Sequence, residues 1–333
     1  MKKHWLNVTP HGLYCIPGAF YIDPTAPVDK AVVTHAHADH AISGHKQLVA
    51  TLETIEIMRL RYGEDCAHEY QILSYHEPAL CNEVMITLLP AGHIIGSAQL
   101  LMEYNNERII VSGDYKRRED STCSAFYPQS CDVFITEATF GLPVFHHPPM
   151  NHELNRLIES LRLFPDRCHL LGVYALGKCQ RVLMGLRALG YSEPIYLHGA
   201  LVKLCNYYQQ KGFDLGELRL AQELGIAESA GKLVLCPPSA LREKWSRRFA
   251  HAVRGMASGW MQIRARAKQL GVELPLVISD HADWSELTQT LAEVRPRELW
   301  VTHGQEDALV YYAQQEGYQA QALHLLGYDE EKQ

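Results

Sequence analysis

Apolar residues along this chain follow two textures, with the change near Pro143. Before it they come in short runs bounded by Gly, Pro, Asn or Asp: GLYCIPGAFYIDP from Gly12, KAVVTHA from Lys30, EVMITLLPAG from Glu83, AQLLMEY from Ala98, ERIIVSGD from Glu107 and DVFITEATFG from Asp132. Such runs predict strands separated by turns, with a single helix among them over 51–63. After Pro143, Leu154, Leu157, Ile158 and Leu161 recur at helical spacing. Strand-like CHLLGVYAL, PIYLHG and GKLVLCPP then alternate with helix-like GKCQRVLMGLRALG and ALVKLCNYYQQKG. From about 274 two more strand-to-helix steps follow, LPLVISDHADWSELTQTLAEV and ELWVTHGQEDALVYYAQQEGY. Strand–helix alternation of this kind predicts a parallel α/β unit.

Composition narrows the class. At 333 residues, 47% hydrophobic and 21% charged, the chain can build a real core and hold two domains or one domain with an insertion. A net charge of −7 argues against a protein that coats a polyanion, although bound metal ions or a local basic cluster would still allow a nuclease. No apolar stretch follows Lys2 and Lys3, none approaches a membrane span, and nine cysteines occur without a C-x-x-C pair. A soluble, cytoplasmic protein with reduced thiols is expected, with no membrane partner.

The chemistry collects where strands stop. His35, His37, Asp39 and His40 follow AVVT, His93 follows ITLLPAG, and Asp114 follows IIVSG. Glu137 follows VFIT, Asp280 and His281 follow LVIS, and His303 follows LWVT. Strand ends are where α/β folds build sites, since rigid strands fix loop side chains against one crevice. Histidines and carboxylates without cysteine point to Zn²⁺ or Mn²⁺. In an extended segment His35 and His37 reach one side together. Asp39 and His40, past a turn, can serve a second ion about 3.5–4 Å away, and an aspartate such as Asp114 can bridge the two. His45, just beyond the box, is expected to be a surface or structural residue.

The H-x-H-x-D-H box at 35–40, His93 in GHIIGS, Asp114 in SGDYK and Asp23 in FYIDP resemble the motifs of the metallo-β-lactamase fold. The distance from Asp114 to the late strand-end histidines, with Glu137 in TEATFG, His281 in SDHADWSEL and His303 in VTHGQ, is similar to the β-CASP nucleases. That resemblance implies an αββα sandwich interrupted by an inserted α/β β-CASP-type cap domain, divided as 1–145, 146–268 and 269–333. Within the group, GLYCIPGAFYIDPTAPVDKAVVTHAHADH with YALGKCQR and SDHADW is most similar to the bacterial ligase-associated DNA exonucleases.

The resemblance also implies roles. Two divalent ions, Zn²⁺ or Mn²⁺, would be held by His35, His37 and His93 on one side and Asp39, His40 and His303 on the other, with Asp114 bridging. His281 would be the general acid, oriented by Glu137, and Asp23 would orient a ligand or the attacking water. Lys178 and Arg181, opening a helix, are candidate phosphate contacts. Arg247 and Arg248 are further candidates, lying in a basic stretch over 242–268 that holds only one acid, Glu243. The expected function is exonuclease action on DNA beside a ligase, with a ligase and a helicase as functional partners. Glu137 and His303 also match RNA-cleaving members, which keeps RNA processing as the alternative; a small-ester or thioester hydrolase is a third reading that the insertion disfavours.

Overall fold

Alternation along the early strands sorts their side chains onto two faces. In the computed structural model, which describes residues 5–249 and 251–323, β1 (Leu6–Thr9), β2 (Gly12–Cys15), β3 (Phe20–Ile22), β4 (Lys30–Val32), β5 (His45–Ala50) and β6 (Ala67–Ile72) form a six-stranded sheet in that order. Leu13, Ile22, Val32 and Val49 point to one face. Ala31, Leu48 and Ala50 point to the other, covered by Ile55 and Met58 of α1 (Leu52–Tyr62). The Thr51 hydroxyl accepts from Thr54 N–H and caps that helix, an arrangement that contributes ~1 kcal/mol. β7 (Ala79–Cys81), β8 (Val84–Pro90), β9 (Ala98–Tyr104), β10 (Glu107–Val111) and β11 (Val133–Ala138) begin a second sheet. Its Leu88, Leu100, Met102 and Ile109 share one core with the inner face of the first.

The chain then leaves this unit, and His147–Asp280 forms a second one. Its elements are α2 (Met150–Leu163), β12 (His169–Gly172), α3 (Lys178–Ala188), β13 (Ile195–Leu197), α4 (Gly199–Gln210), β14 (Leu218–Leu220), β15 (Leu233–Cys236), β16 (Val253–Ala257), α5 (Arg264–Gln269) and β17 (Leu274–Leu276). The strands lie in the order β14-β13-β15-β12-β16-β17, every pair parallel. β12, β13 and β15 are buried along their whole length, as parallel strands covered on both faces are. Re-entry was expected at 269. It comes at His281, because β17 pairs with β16 and belongs to the inserted sheet.

Back in the first unit, α6 (Trp284–Val294), β18 (Glu298–Gly304), α7 (Glu306–Gln315) and β19 (Gln319–Ala322) complete the second sheet as β19-β18-β11-β10-β9-β8-β7. β18 runs parallel to β11, with Val133 opposite Glu298 and Glu137 opposite Thr302. Leu287 and Leu291 of α6 and Leu309 and Ala313 of α7 cover its outer face against Ile110, Phe134 and Val301. The unit is therefore layered helix, sheet, sheet, helix, the αββα sandwich anticipated from the motifs, and the insertion is α/β. No helix among the described residues is long and apolar enough to cross a membrane.

Candidate active site

β4 ends at Val32, and the box that follows turns back on itself where His40 and Ala41 N–H both donate to the His37 carbonyl, at 3.2 and 2.9 Å. That turn brings His40 round beside His35, their ring centroids 4.2 Å apart. His93 is fixed through its backbone, its N–H donating to Ser97 Oγ at 3.1 Å. Asp114 follows Gly113, whose φ is +54° and whose Cβ, if it had one, would sit 2.8 Å from Thr34 Oγ1. Only glycine lets the chain pass Thr34 this closely.

The ligand atoms converge on one carboxylate oxygen. Asp114 Oδ2 lies 3.3 Å from His35 Nε2, 3.5 Å from His40 Nε2 and 3.7 Å from His93 Nε2. His37 Nδ1 faces His93 Nε2 at 2.9 Å, and one ligand atom from each of His35, His37, His93 and Asp114 falls within a 4.8 Å cluster. Asp39 Oδ2 is 3.8 Å from His40 Nε2, and the His303 ring stands 5.5 Å from that of His40, so Asp39 and His303 adjoin the group through His40. His35 Nε2 is buried without a hydrogen-bond partner. Buried imidazole nitrogens turned toward one another and toward a shared carboxylate fit divalent cations better than they fit each other. His35, His37, His93 and Asp114 form a His/Asp cluster that could hold a metal ion.

Neighbours set the tautomers. Thr34 spends its N–H and hydroxyl on Asp23 Oδ1 and Oδ2, at 2.7 and 2.6 Å, so the hydroxyl oxygen can only accept from His35 Nδ1, 3.1 Å away. His40 Nδ1 donates to Asp23 Oδ2 at 2.8 Å. Asp23 thus turns both Nε2 atoms inward, directly for His40 and through Thr34 for His35. Asp23 and His303 hold left-handed backbone, φ 42° and 56°, a strain that non-glycine residues sustain mainly where surrounding contacts fix them.

A second dyad adjoins the cluster. Glu137 Oε1 accepts from Tyr115 N–H at 2.7 Å; its Oε2 accepts from Thr139 Oγ1 at 2.5 Å and from His281 Nδ1 at 2.9 Å. The His281 ring, partly exposed, stands 4.8 Å from that of His93. Its Nδ1 is committed to Glu137, which leaves Nε2 as the ring's other donor.

Charge balance follows position. Burial, then His37, His281 and His35, push His93 well below its ordinary pKa. Burial and His40 bring His303 down to about 4. Burial works against a charged His40 as well, but Asp114, Asp39 and Asp23 outweigh it and hold its pKa well above the usual value. Burial likewise works against Asp114 ionisation, and His40, His35 and His281 overcome it. These shifts favour neutral imidazoles at His93 and His303 and a charged one at His40. Zinc loading at pH 7 is therefore expected to release a proton from His40, with apparent affinity falling as pH is lowered. Calorimetry in buffers of different ionisation enthalpy measures this; heats that do not vary with the buffer would rule it out.

Other sequence expectations land elsewhere. His45 is buried and structural, its Nδ1 accepting from Val28 N–H at 3.3 Å. Lys178 and Arg181 are buried in the second unit rather than open to a phosphate. Lys178 Nζ lies 2.9 Å from Asp280 Oδ2 and donates to the Ile278 carbonyl; Arg181 pairs with Asp280 and donates to the Ser279 carbonyl. A buried cation requires such partners. Both therefore hold the 278–280 segment, which corrects their reading as surface phosphate contacts. Arg247 is exposed, and Arg248 is half-buried with its guanidinium donating to the Leu224 carbonyl at 2.6 Å. Sequence reasoning missed Thr34, Ser97 and Thr139. Each is a hydroxyl within four residues of a motif residue, and that proximity was the available signal.

No family model matches the chain. It is 28% identical over 317 residues to a probable DNA ligase of Opitutus terrae, across 94% of this chain and 30% of that protein. It is 33% identical over 158 residues to the endoribonuclease YSH1 of Kluyveromyces lactis, across 43% of this chain and 20% of the relative. With the probable RNase MJ4 of Methanocaldococcus jannaschii it shares 26% over 212 residues, 53% of this chain and 49% of that one. The chain thus spans at most about half the length of these curated relatives. A crystal structure of a protein of unknown function from Enterococcus faecalis superposes with a TM-score of 0.59 at 12% identity, over 92% of this chain and 81% of that one, which speaks for the fold alone. With the αββα unit, its α/β insertion and the His/Asp cluster near the strand ends, these likenesses make the chain similar to the β-CASP nucleases of the metallo-β-lactamase fold.

Proposed function

We propose that the chain is a metal-dependent nuclease that hydrolyses phosphodiester bonds of DNA as an exonuclease working beside a ligase. One observation carries the hydrolytic reading: a carboxylate-held histidine, His281 on Glu137, stands next to a cluster of metal-competent histidines. His35, His37 and His93 would hold one ion, Asp39, His40 and His303 the other, and Asp114 would be shared. When bound, two divalent ions, zinc or manganese, would lower the pKa of water and offset charge on the phosphate. Asp23 keeps the His40 and His35 rings oriented. Glu137 holds His281 Nδ1, so that Nε2 carries the proton needed by the departing oxygen. Arg247 is free to follow a nucleic-acid backbone.

The DNA reading draws support from the match along 94% of the chain to a protein named a probable DNA ligase. A functional link to a ligase, and to a helicase that would open ends for it, belongs to the same proposal. Nine free cysteines suit a reducing, cytoplasmic setting. Relatives named as an endoribonuclease and an RNase favour a second reading, RNA processing.

Matched DNA and RNA oligonucleotides, end-labelled and incubated with the zinc- or manganese-loaded protein, decide the substrate. Progressive shortening of DNA from one end is expected. Cleavage of RNA with DNA left intact would establish the second reading, and turnover of a thioester with neither nucleic acid cut would remove both.

A further inference from the structure

We propose that Arg118, Asp283 and Glu286 form a staple that sets His281 against Asp114, and that they act as positioning residues for protonation of the leaving oxygen. The inference rests on His281 being the proton donor.

His281 is the first residue of its unit after the insertion. The residues that precede it belong to the other unit, so within its own unit its backbone must be held from the C-terminal side. Ala282 N–H donates to the Tyr115 carbonyl at 2.7 Å. Asp283 caps α6 in a reciprocal box: its carboxylate accepts from Glu286 N–H, and Glu286 Oε2 accepts from Asp283 N–H, both at 3.1 Å. Such a box satisfies the helix start by itself. Here each carboxylate also takes partners from the loop after Asp114. Glu286 Oε1 accepts from Arg117 N–H at 3.2 Å and Arg118 N–H at 2.8 Å, and Asp283 Oδ2 accepts from the Arg118 guanidinium at 2.7 Å.

These bonds close a ring. Asp114 leads to Tyr115, whose N–H reaches Glu137; Glu137 holds His281; and the residues after His281 return to Tyr115, Arg117 and Arg118. The metal-bridging candidate and the acid candidate thereby share one fixed frame. Asp283 and Glu286 side chains are 0% and 8% exposed, which makes those contacts strong and their loss consequential. Misplacement of a reacting group by about 1 Å can lower a rate ~10²-fold.

The test compares Glu286→Gln and Arg118→Ala with His281→Ala, each in the metal-loaded protein. Gln keeps one accepting oxygen and loses the other; Arg118 is partly exposed, so its removal leaves the core intact. Turnover is measured on a dinucleotide, which has a poor leaving group, and on bis(4-nitrophenyl) phosphate, which has a good one. Bound metal is measured by elemental analysis. We expect both staple variants to lose ~10-fold or more on the dinucleotide and about 2-fold or less on the nitrophenyl ester, with metal content unchanged. Equal losses on both substrates, lost metal, or no loss would overturn the staple. If His281→Ala itself fell equally on both, the acid assignment beneath it would fail. A leaving-group effect in His281→Ala alone would leave the acid in place and remove only the staple.

Discussion

Asp114→Ala should lose hydrolysis of either nucleic acid by ~10³-fold or more and bind less metal, since the proposed bridging carboxylate is gone and three histidine Nε2 atoms lose their common partner. His37→Ala should do the same through the other edge of the cluster, where Nδ1 faces His93 Nε2. The proposed ligands come from segments as distant in sequence as His35 and Asp114, so the site exists only in the folded chain, and a strong chelator should silence the wild type as completely. Elemental analysis beside an oligonucleotide assay checks both points. Full activity in chelator, or an Asp114→Ala protein with its metal and rate intact, would falsify the metal mechanism.

His281→Ala should leave metal content alone and lose ~10²–10⁴-fold on a substrate with a poor leaving group. A nitrophenolate leaving group hardly needs the proton, so it should recover most of that deficit. Glu137→Gln should resemble a milder form, because Tyr115 N–H and Thr139 Oγ1 would still partly seat the side chain while its grip on His281 loosened. His303→Ala is the counterpart: it should deplete one metal and lower activity at every pH. Depletion of metal by His281→Ala with none by His303→Ala would exchange the two roles.

The candidate metal ligands could be picked out because their signal is local. A short apolar run that stops at a histidine or aspartate identifies both the strand and the reason for the residue, and the box, His93 and Asp114 follow β4, β8 and β10 within a few residues, whereas Glu137 lies inside β11 and His281 comes five residues after β17. β5 and β6 were not legible. HKQLVA and AHEYQI carry too many polar side chains to read as strands, and they are held by parallel pairing, Leu48 against Tyr70, that no local pattern encodes. Lys178 and Arg181 misled for a related reason. A glycine followed by cations at a helix start reads as a phosphate cradle, and the partner that buries them, Asp280, lies near the far end of the insertion. Thr34 fell between the two cases: adjacent to the box, yet given its purpose by Asp23 on a different strand.

Parallel pairing of β11 with β18, Val133 against Glu298, also bears on how the protein is made. Contacts between such distant residues form slowly, because a long loop must close before they contribute anything. A chain emerging from the ribosome will present β11 with one edge unpaired while the whole insertion is synthesised. The insertion's own pairs span far less sequence, so it should fold first, leaving β18 to seal that edge last. His281 and His303 arrive with this late segment. A partly synthesised chain would therefore carry most of the proposed metal ligands and yet lack both the proposed acid and one of those ligands, and the proposed nuclease activity would be withheld until β18 docks.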